Sequence, residues 1–253
     1  MNCIFCDKPN IAKSIEHIVS ESFGNKDYVM ERSSVCDECN SKFSKFEDKA
    51  LSNSIFVFER ARLGIVTKKG KNVKGQVKNI KVEGHQDFKK QHISIQGINS
   101  SNFKNFDPKT KTGQLYVESF DKSEESACKL ALKIALESIF TSRKKEIFNN
   151  YDFTELKGYL TNENTKSWPF IMSDYEPAKF TSIPKMTVKH NLKKNRIELT
   201  FLEIDEKTLL FKFTFAAVSI TVNLLSRNFK WSEIFIDKDK RIQIYPKHFR
   251  KKI

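Results

Sequence analysis

The sequence predicts an α+β protein in two parts, a small N-terminal module stapled by four cysteines and then a basic α+β domain with a mainly antiparallel sheet. Three observations predict it. Two Cys-x2-Cys pairs, Cys3/Cys6 and Cys36/Cys39, bracket the first 40 residues. A long run of helical apolar spacing follows Asp121. Beyond Pro177 the pattern breaks into short β-runs separated by turn residues. The chain has 253 residues, 39% of them hydrophobic, with 22 Phe, enough for a sizeable core, so wholesale disorder is excluded. The expected division is 1–55 and 56–253.

Charge separates the same two parts. The whole chain carries +14, with 45 Lys+Arg against 31 Asp+Glu. Residues 1–50 hold seven Lys/Arg against nine Asp/Glu, a net −2, which leaves +16 on the other 203. A polyanionic partner is implied, nucleic acid or an acidic membrane surface, and its attraction comes from the second part. No apolar run reaches the roughly 18 positions of a membrane helix. The N-terminus, MNCIFCDKPN, lacks the basic and hydrophobic regions of a signal peptide. The expectation is a cytoplasmic protein that does not enter a membrane.

Each cysteine pair presents two thiolates to one centre, and two pairs complete a closed tetrahedral site. Zinc is the metal this donor set selects. A closed site has no position for substrate, so the zinc is expected to be structural. Cys128 stands alone and reads as a small buried residue.

Between the pairs, Ser14-Ile-Glu-His-Ile-Val-Ser-Glu-Ser-Phe-Gly24 sets the Glu16 carboxylate beside the His17 imidazole. After the second pair, Phe43, Phe46, Ala50 and Leu51 fall on one face of a helix that starts near Cys36 or Asp37, with Asn40 at its beginning.

In this order, C-x2-C, E-H-I-V-x-x-S-F-G and C-x2-C-N resemble the signature of HNH endonucleases, in the subgroup where two cysteine pairs bind zinc around a ββα-metal core. The resemblance covers about residues 1–51. It implies that His17 is the general base that activates water. It also implies that Glu16 and Asn40 hold a catalytic divalent cation, Mg2+ or Mn2+. The family's middle asparagine is absent, Glu31 standing there, so the resemblance does not say what orients His17.

The residues suit these roles chemically. Histidine accepts a proton near neutral pH. A hard cation on oxygen ligands offsets the charge that develops on a phosphodiester transition state. Adjacent strand residues point to opposite sides, however, so Glu16 and His17 need a bend or bulge to serve one phosphate, or else approach it from different sides.

In the second part, Leu51–Leu63 either continues the first helix or links it onward. The stretch 67–85 sets Lys68, Lys69, Lys71, Lys74, Lys78 and Lys81 among Gly70, Gly75 and Gly84. It reads as a hairpin with lysines on its open face, suited to phosphate contact or to protecting a sheet edge; Lys68, Lys69, Lys71, Lys74 and Lys78 are the candidate nucleic-acid contacts. Strands are expected at His92–Ile98 and Gln114–Ser119. A helix follows, capped by Asp121 or Ser123, with Arg143, Lys144 and Lys145 in its last turn. Strands are then expected at Met186–His190, Arg196–Glu203, Leu209–Thr214, Ala217–Leu224 and Ile242–Tyr245. His85, His92, His190 and His248 show no ligand spacing.

The resulting expectation is a metal-dependent endonuclease acting on double-stranded DNA, possible homodimer formation included, with restriction or phage defence implied by resemblance. The alternatives are a zinc-dependent binding or interaction protein without catalysis, and a nuclease directed at RNA.

Overall fold

The computed structural model describes residues 2–67, 69–84, 93–98, 103–142, 148–163, 166–173, 176–182, 188–190, 195–235 and 242–252. Lys68, His85, His92, Arg143, Lys144 and Lys145 lie outside the described residues.

The first long element is α1 (Asp37–Leu51), which buries Cys39, Phe43, Phe46, Ala50 and Leu51 on one face, as their spacing requires. It does not continue through Leu63. At the break stands Asn53, wholly buried, whose amide donates to Ala50 O and whose Oδ1 accepts from the amides of Lys122 and Ser123. A second helix, α2 (Ser54–Arg62), starts there, and Asp121 accepts from Ser54 N at 2.8 Å. Of the two expected caps for the next helix, Asp121 is therefore spent on α2. Ser123 Oγ instead accepts from Ser126 N at 3.0 Å and opens α3 (Glu124–Ser142).

Every residue of α3 from Ser126 to Ile139 is buried. The helix packs on α1 on one side and on the main sheet on the other, so it is apolar nearly all round. The exceptions, Lys129, Lys133 and Glu137, recur every four residues along one stripe. A short helix, α4 (Thr154–Leu160), also packs on α3.

The lysine-rich segment forms the expected hairpin, β1 (Lys74–Val77) and β2 (Ile80–Gly84), joined by β3 (Ile93–Gln96) in a three-stranded antiparallel sheet. Next come β4 (Phe103–Asp107) and β5 (Thr112–Leu115), a two-stranded ribbon. The expected strand at Gln114–Ser119 stops at Leu115 because Leu115 pairs with Phe103, the first residue of β4.

The main sheet is antiparallel throughout. It contains β6 (Phe170–Met172), β7 (Thr181–Ser182), β8 (Val188–His190), β9 (Asn195–Asp205), β10 (Thr208–Phe215), β11 (Val218–Asn223) and β12 (Gln243–Tyr245). The order is β12-β6-β11-β10-β9-β7, with β8 also on β9. Central β10 is buried on both faces. One face joins the core around α3, while Leu210 on the other packs with Phe180, Trp231 and Phe235. Four of the expected strands beyond Pro177 appear as β9 to β12. The fifth appears as β8, with residues 186 and 187 outside the described residues. The expected α+β class with a mainly antiparallel sheet is the observed one.

One apolar cluster runs from Cys3, Phe23 and Phe43 through α3 into the sheet. Phe23, fully buried, sets its ring edge-on to Phe56 of α2 and to Phe213 and Phe215 of β10, at 4.5–5.4 Å. The N-terminal module is thus seated on the rest of the chain by an aromatic anchor six residues beyond His17.

Candidate active site

The cysteine centre is built by two turns. Asp7, in the left-handed region at φ 56°, turns the chain back so that Asp7 N donates to Cys3 O. Cys36 caps α1, its sulfur accepting from Cys39 N at 3.4 Å, while Cys36 N donates to Cys3 Sγ at 3.4 Å. Ile4 N to Ser34 O ties one turn to the other. The four sulfurs lie within 4.8 Å of one another, and Cys6 and Cys36 are 3.7 Å apart. A tetrahedral metal with bonds of ~2.3 Å sets its sulfurs roughly 3.8 Å apart, so this donor set fits one. The Cys39 hydrogen bond holds the Cys3 thiol down to about 4, and Cys39 is pushed up in return. Among the described residues this is the one gathered group of metal-ligating side chains.

His17 lies in an extended segment before α1 that pairs with Val29 through one isolated antiparallel bridge, with a 3-10 turn at Glu21–Phe23 between them. Met30 N donates to Glu16 O and Ile18 N to Tyr28 O, with His17 facing Val29. The intervening loop is organised by buried Asn25, which donates to Val19 O and accepts from Asp27 N and Tyr28 N. No bulge brings Glu16 and His17 to the same side. His17 keeps a quarter of its side chain exposed, and its Nε2 lies 3.2 Å from Glu21 Oε1. Its Nδ1 is buried and meets no hydrogen-bonding group among the described residues.

Glu16 turns the other way. Its Oε1 accepts from Lys133 Nζ of α3 at 2.5 Å, and its residue exposure is 8%. Lys133 is fully buried and also reaches Glu47 at 2.8 Å and Glu137 at 3.2 Å. Burial opposes the Lys133 charge, but the carboxylates outweigh it and hold the ammonium protonated. Burial pushes the Glu137 carboxyl well up, with Lys133 opposing.

The expected cation pair of Glu16 and Asn40 is therefore not assembled. Strand alternation places Glu16 on the core side, where Lys133 is already its counter-charge. Asn40, in the first turn of α1, donates to Ser14 Oγ at 3.2 Å. Ser14 in turn donates from N and Oγ to Asp37, holding that carboxyl below its usual range. These two donors do not fit a shared divalent cation.

Beside Glu21, the neighbour of His17, opens a cleft of about 770 Å³, lined by Glu21, Lys26, Arg60, Lys69, Lys71 and Lys74 among others. Arg60 donates to Ser22 O at 2.8 Å, and burial lowers it to about 10. The loop is closed by Gly70 N to Thr67 O and Thr67 N to Lys71 O. Lys69, Lys71 and Lys74 thus line the cleft, Lys74 also pairing with Glu83 at 2.9 Å. Lys78 does not; it sits exposed in the β1–β2 turn. Lys26, Arg60, Glu21 and Lys133 were not singled out from the sequence. Only Glu21 left a local signal, its spacing of four from His17.

The N-terminal region thus sets a partly exposed histidine before a helix whose base gathers four cysteines, able to hold a metal, next to a basic cleft. Residues 3–56 match the family model of the HNH endonucleases, and this region of the chain is HNH-type. No curated protein and no solved structure matches the chain. None of the helices among the described residues is long and apolar enough to cross a membrane.

Proposed function

We propose that the protein is an endonuclease that hydrolyses phosphodiester bonds in DNA, with residues 1–55 cutting and 56–253 binding or selecting the substrate. The observation that carries this reading is the His17–Glu21 pair at the mouth of the basic cleft. Glu21 places a carboxylate 3.2 Å from His17 Nε2. In this reading the imidazole takes the proton of the attacking water through its solvent-facing edge. Lys26, Lys69, Lys71 and Lys74 hold the backbone phosphates on either side, and Arg60 braces the Ser22 carbonyl next to Glu21. The four cysteines hold a structural Zn2+.

HNH nucleases use a divalent metal, and Mg2+ or Mn2+ is the expected one here. Asn40 is the donor that remains for it, while the geometry of Glu16 speaks against Glu16. Free thiols at the zinc site suit a reducing cytoplasm. Cutting both strands with one site per chain calls for two copies. Restriction or phage defence is the setting such a nuclease would serve.

Incubation of the zinc-loaded chain with supercoiled plasmid, linear duplex and RNA, in EDTA or with Mg2+ or Mn2+, tests the reading. Nicking of the plasmid by the native chain and its loss in His17→Ala, with zinc content and fold intact, is the expected result. Equal nicking by both proteins sinks it. The commitment of Glu16 to Lys133 favours a second reading, a zinc-stapled binding protein without catalysis, which would retard DNA in a gel and leave it uncut.

A further inference from the structure

The strand bearing His17 is held from behind by a residue 116 positions away. Lys133 Nζ donates to Glu16 Oε1 at 2.5 Å and to the His17 carbonyl at 3.3 Å. Glu47 Oε1 at 2.8 Å and Glu137 Oε2 at 3.2 Å complete its surroundings. Two of its four oxygen neighbours therefore belong to adjacent residues of the His17 segment. A pin between α1 and α3 alone would need Glu47 and nothing from that segment.

The strand's geometry gives this arrangement a consequence. Side chains of adjacent residues alternate, so a Glu16 that swung out toward the cleft would carry His17 inward. A carboxylate facing the core needs a counter-charge there, because an unpaired one is expelled or takes up a proton. Apart from Lys133, the titratable side chains of this buried group are Glu16, Glu47 and Glu137, all acidic. With the ammonium removed, nothing in the group holds Glu16 on that side.

We propose that Lys133 is a positioning residue for His17, an internal cation that keeps Glu16 on the core side of the strand and so holds the imidazole toward Glu21 of the cleft. Its catalytic meaning rests on the reading of His17 as the base; its structural content does not. The helix that supplies Lys133 lies wholly outside residues 3–56, so the HNH-type region is completed by the remainder of the chain.

The test uses the full zinc-loaded chain and the double variant Lys133→Met/Glu47→Gln, which removes one charge of each sign from the buried group. The chain has five histidines, so histidine-selective 13C NMR gives a simple spectrum, with the His17 signal identified by its loss in His17→Ala. In the double variant the His17 signal moves while the other four stay, and kcat for plasmid nicking falls at least about tenfold with KM near native. Glu47→Gln alone, which leaves Lys133 on the strand, keeps the native signal and kcat. A folded double variant with a native His17 signal overturns the proposal. Should the double variant fail to fold, Glu16→Gln decides, since it weakens the same tie: the signal moves if the proposal holds and stays if it does not. A native chain that cuts no nucleic acid defeats the nuclease reading, and the NMR result still decides the role of Lys133.

Discussion

His17 Nε2 and Glu21 Oε1 stand 3.2 Å apart, four residues along the chain, at the edge of the basic cleft. In the proposed reading, Glu21 is the orienting group where the family's middle asparagine is missing. Glu21→Gln keeps the shape but removes the carboxylate charge beside the imidazole. Its kcat is expected to fall by about tenfold or more, short of the roughly 10²–10⁴-fold loss of a general base in His17→Ala. Single-turnover nicking rates check the order; a native rate in Glu21→Gln removes Glu21 from the site.

Metal removal should unfold the N-terminal module. Its helix begins on Cys36 and its first turn closes on Cys3, so the metal joins both ends of the segment. Cys39→Ser, or stripping with a strong chelator, is expected to lower zinc content and Tm together. A metal-free chain with native Tm and circular dichroism would contradict this.

The cleft lysines should act on binding. Lys69→Ala and Lys71→Ala are each expected to weaken DNA affinity and to reduce the slope of log K against log salt by about 1, with kcat at saturation near native. Lys78→Ala, in the exposed hairpin turn, should change less. Fluorescence anisotropy across a salt series measures it, and equal effects at Lys71 and Lys78 would place the strand elsewhere.

Glu137 fixes a pH dependence. Burial raises its folded-state pKa well above 4.5, so the folded chain keeps a proton that the unfolded chain releases. This contribution to stability is fully present below about pH 4.5 and is lost as pH rises toward the folded value. Glu137→Gln removes the loss, so its Tm advantage over the native chain should grow from pH 5 to pH 8. An advantage that shrinks over that range would contradict the assignment.

Glu16 should not behave as a ligand. Glu16→Gln is expected to keep native affinity for Mn2+ in a titration followed by electron paramagnetic resonance, whereas loss of even an outer-shell partner of a ligand costs about 10–100-fold.

The parts of the site that sequence displays are those set by local geometry. The cysteine turns and the α1 face of Phe43 and Phe46 follow from spacing within a few residues. The opposed directions of Glu16 and His17 were also legible, since they follow from strand alternation, although the identity of the counter-charge was not. Lys133 sits in an apolar run whose periodicity says only helix, and nothing local distinguishes a buried lysine aimed at residue 16 from a surface one. Asp121 shows the same limit, because a capping residue is generic and its choice of α2 over α3 depends on tertiary packing. The strand β6 and the helix α4 were missed because three and seven residues are too few to establish a period.

Gly75 of β1 lies where a Cβ would come within 2.4 Å of Val57 Cγ1 on α2. The lysine hairpin is thereby pressed directly onto α2, and the same helix reaches through Arg60 to Ser22, next to Glu21. One short helix thus touches both the hairpin that would grip phosphate and the segment that carries Glu21. A strand seated on those lysines would meet His17 at a constant offset, so the molecule would work as a ruler, leaving every break the same number of nucleotides from the phosphate it holds.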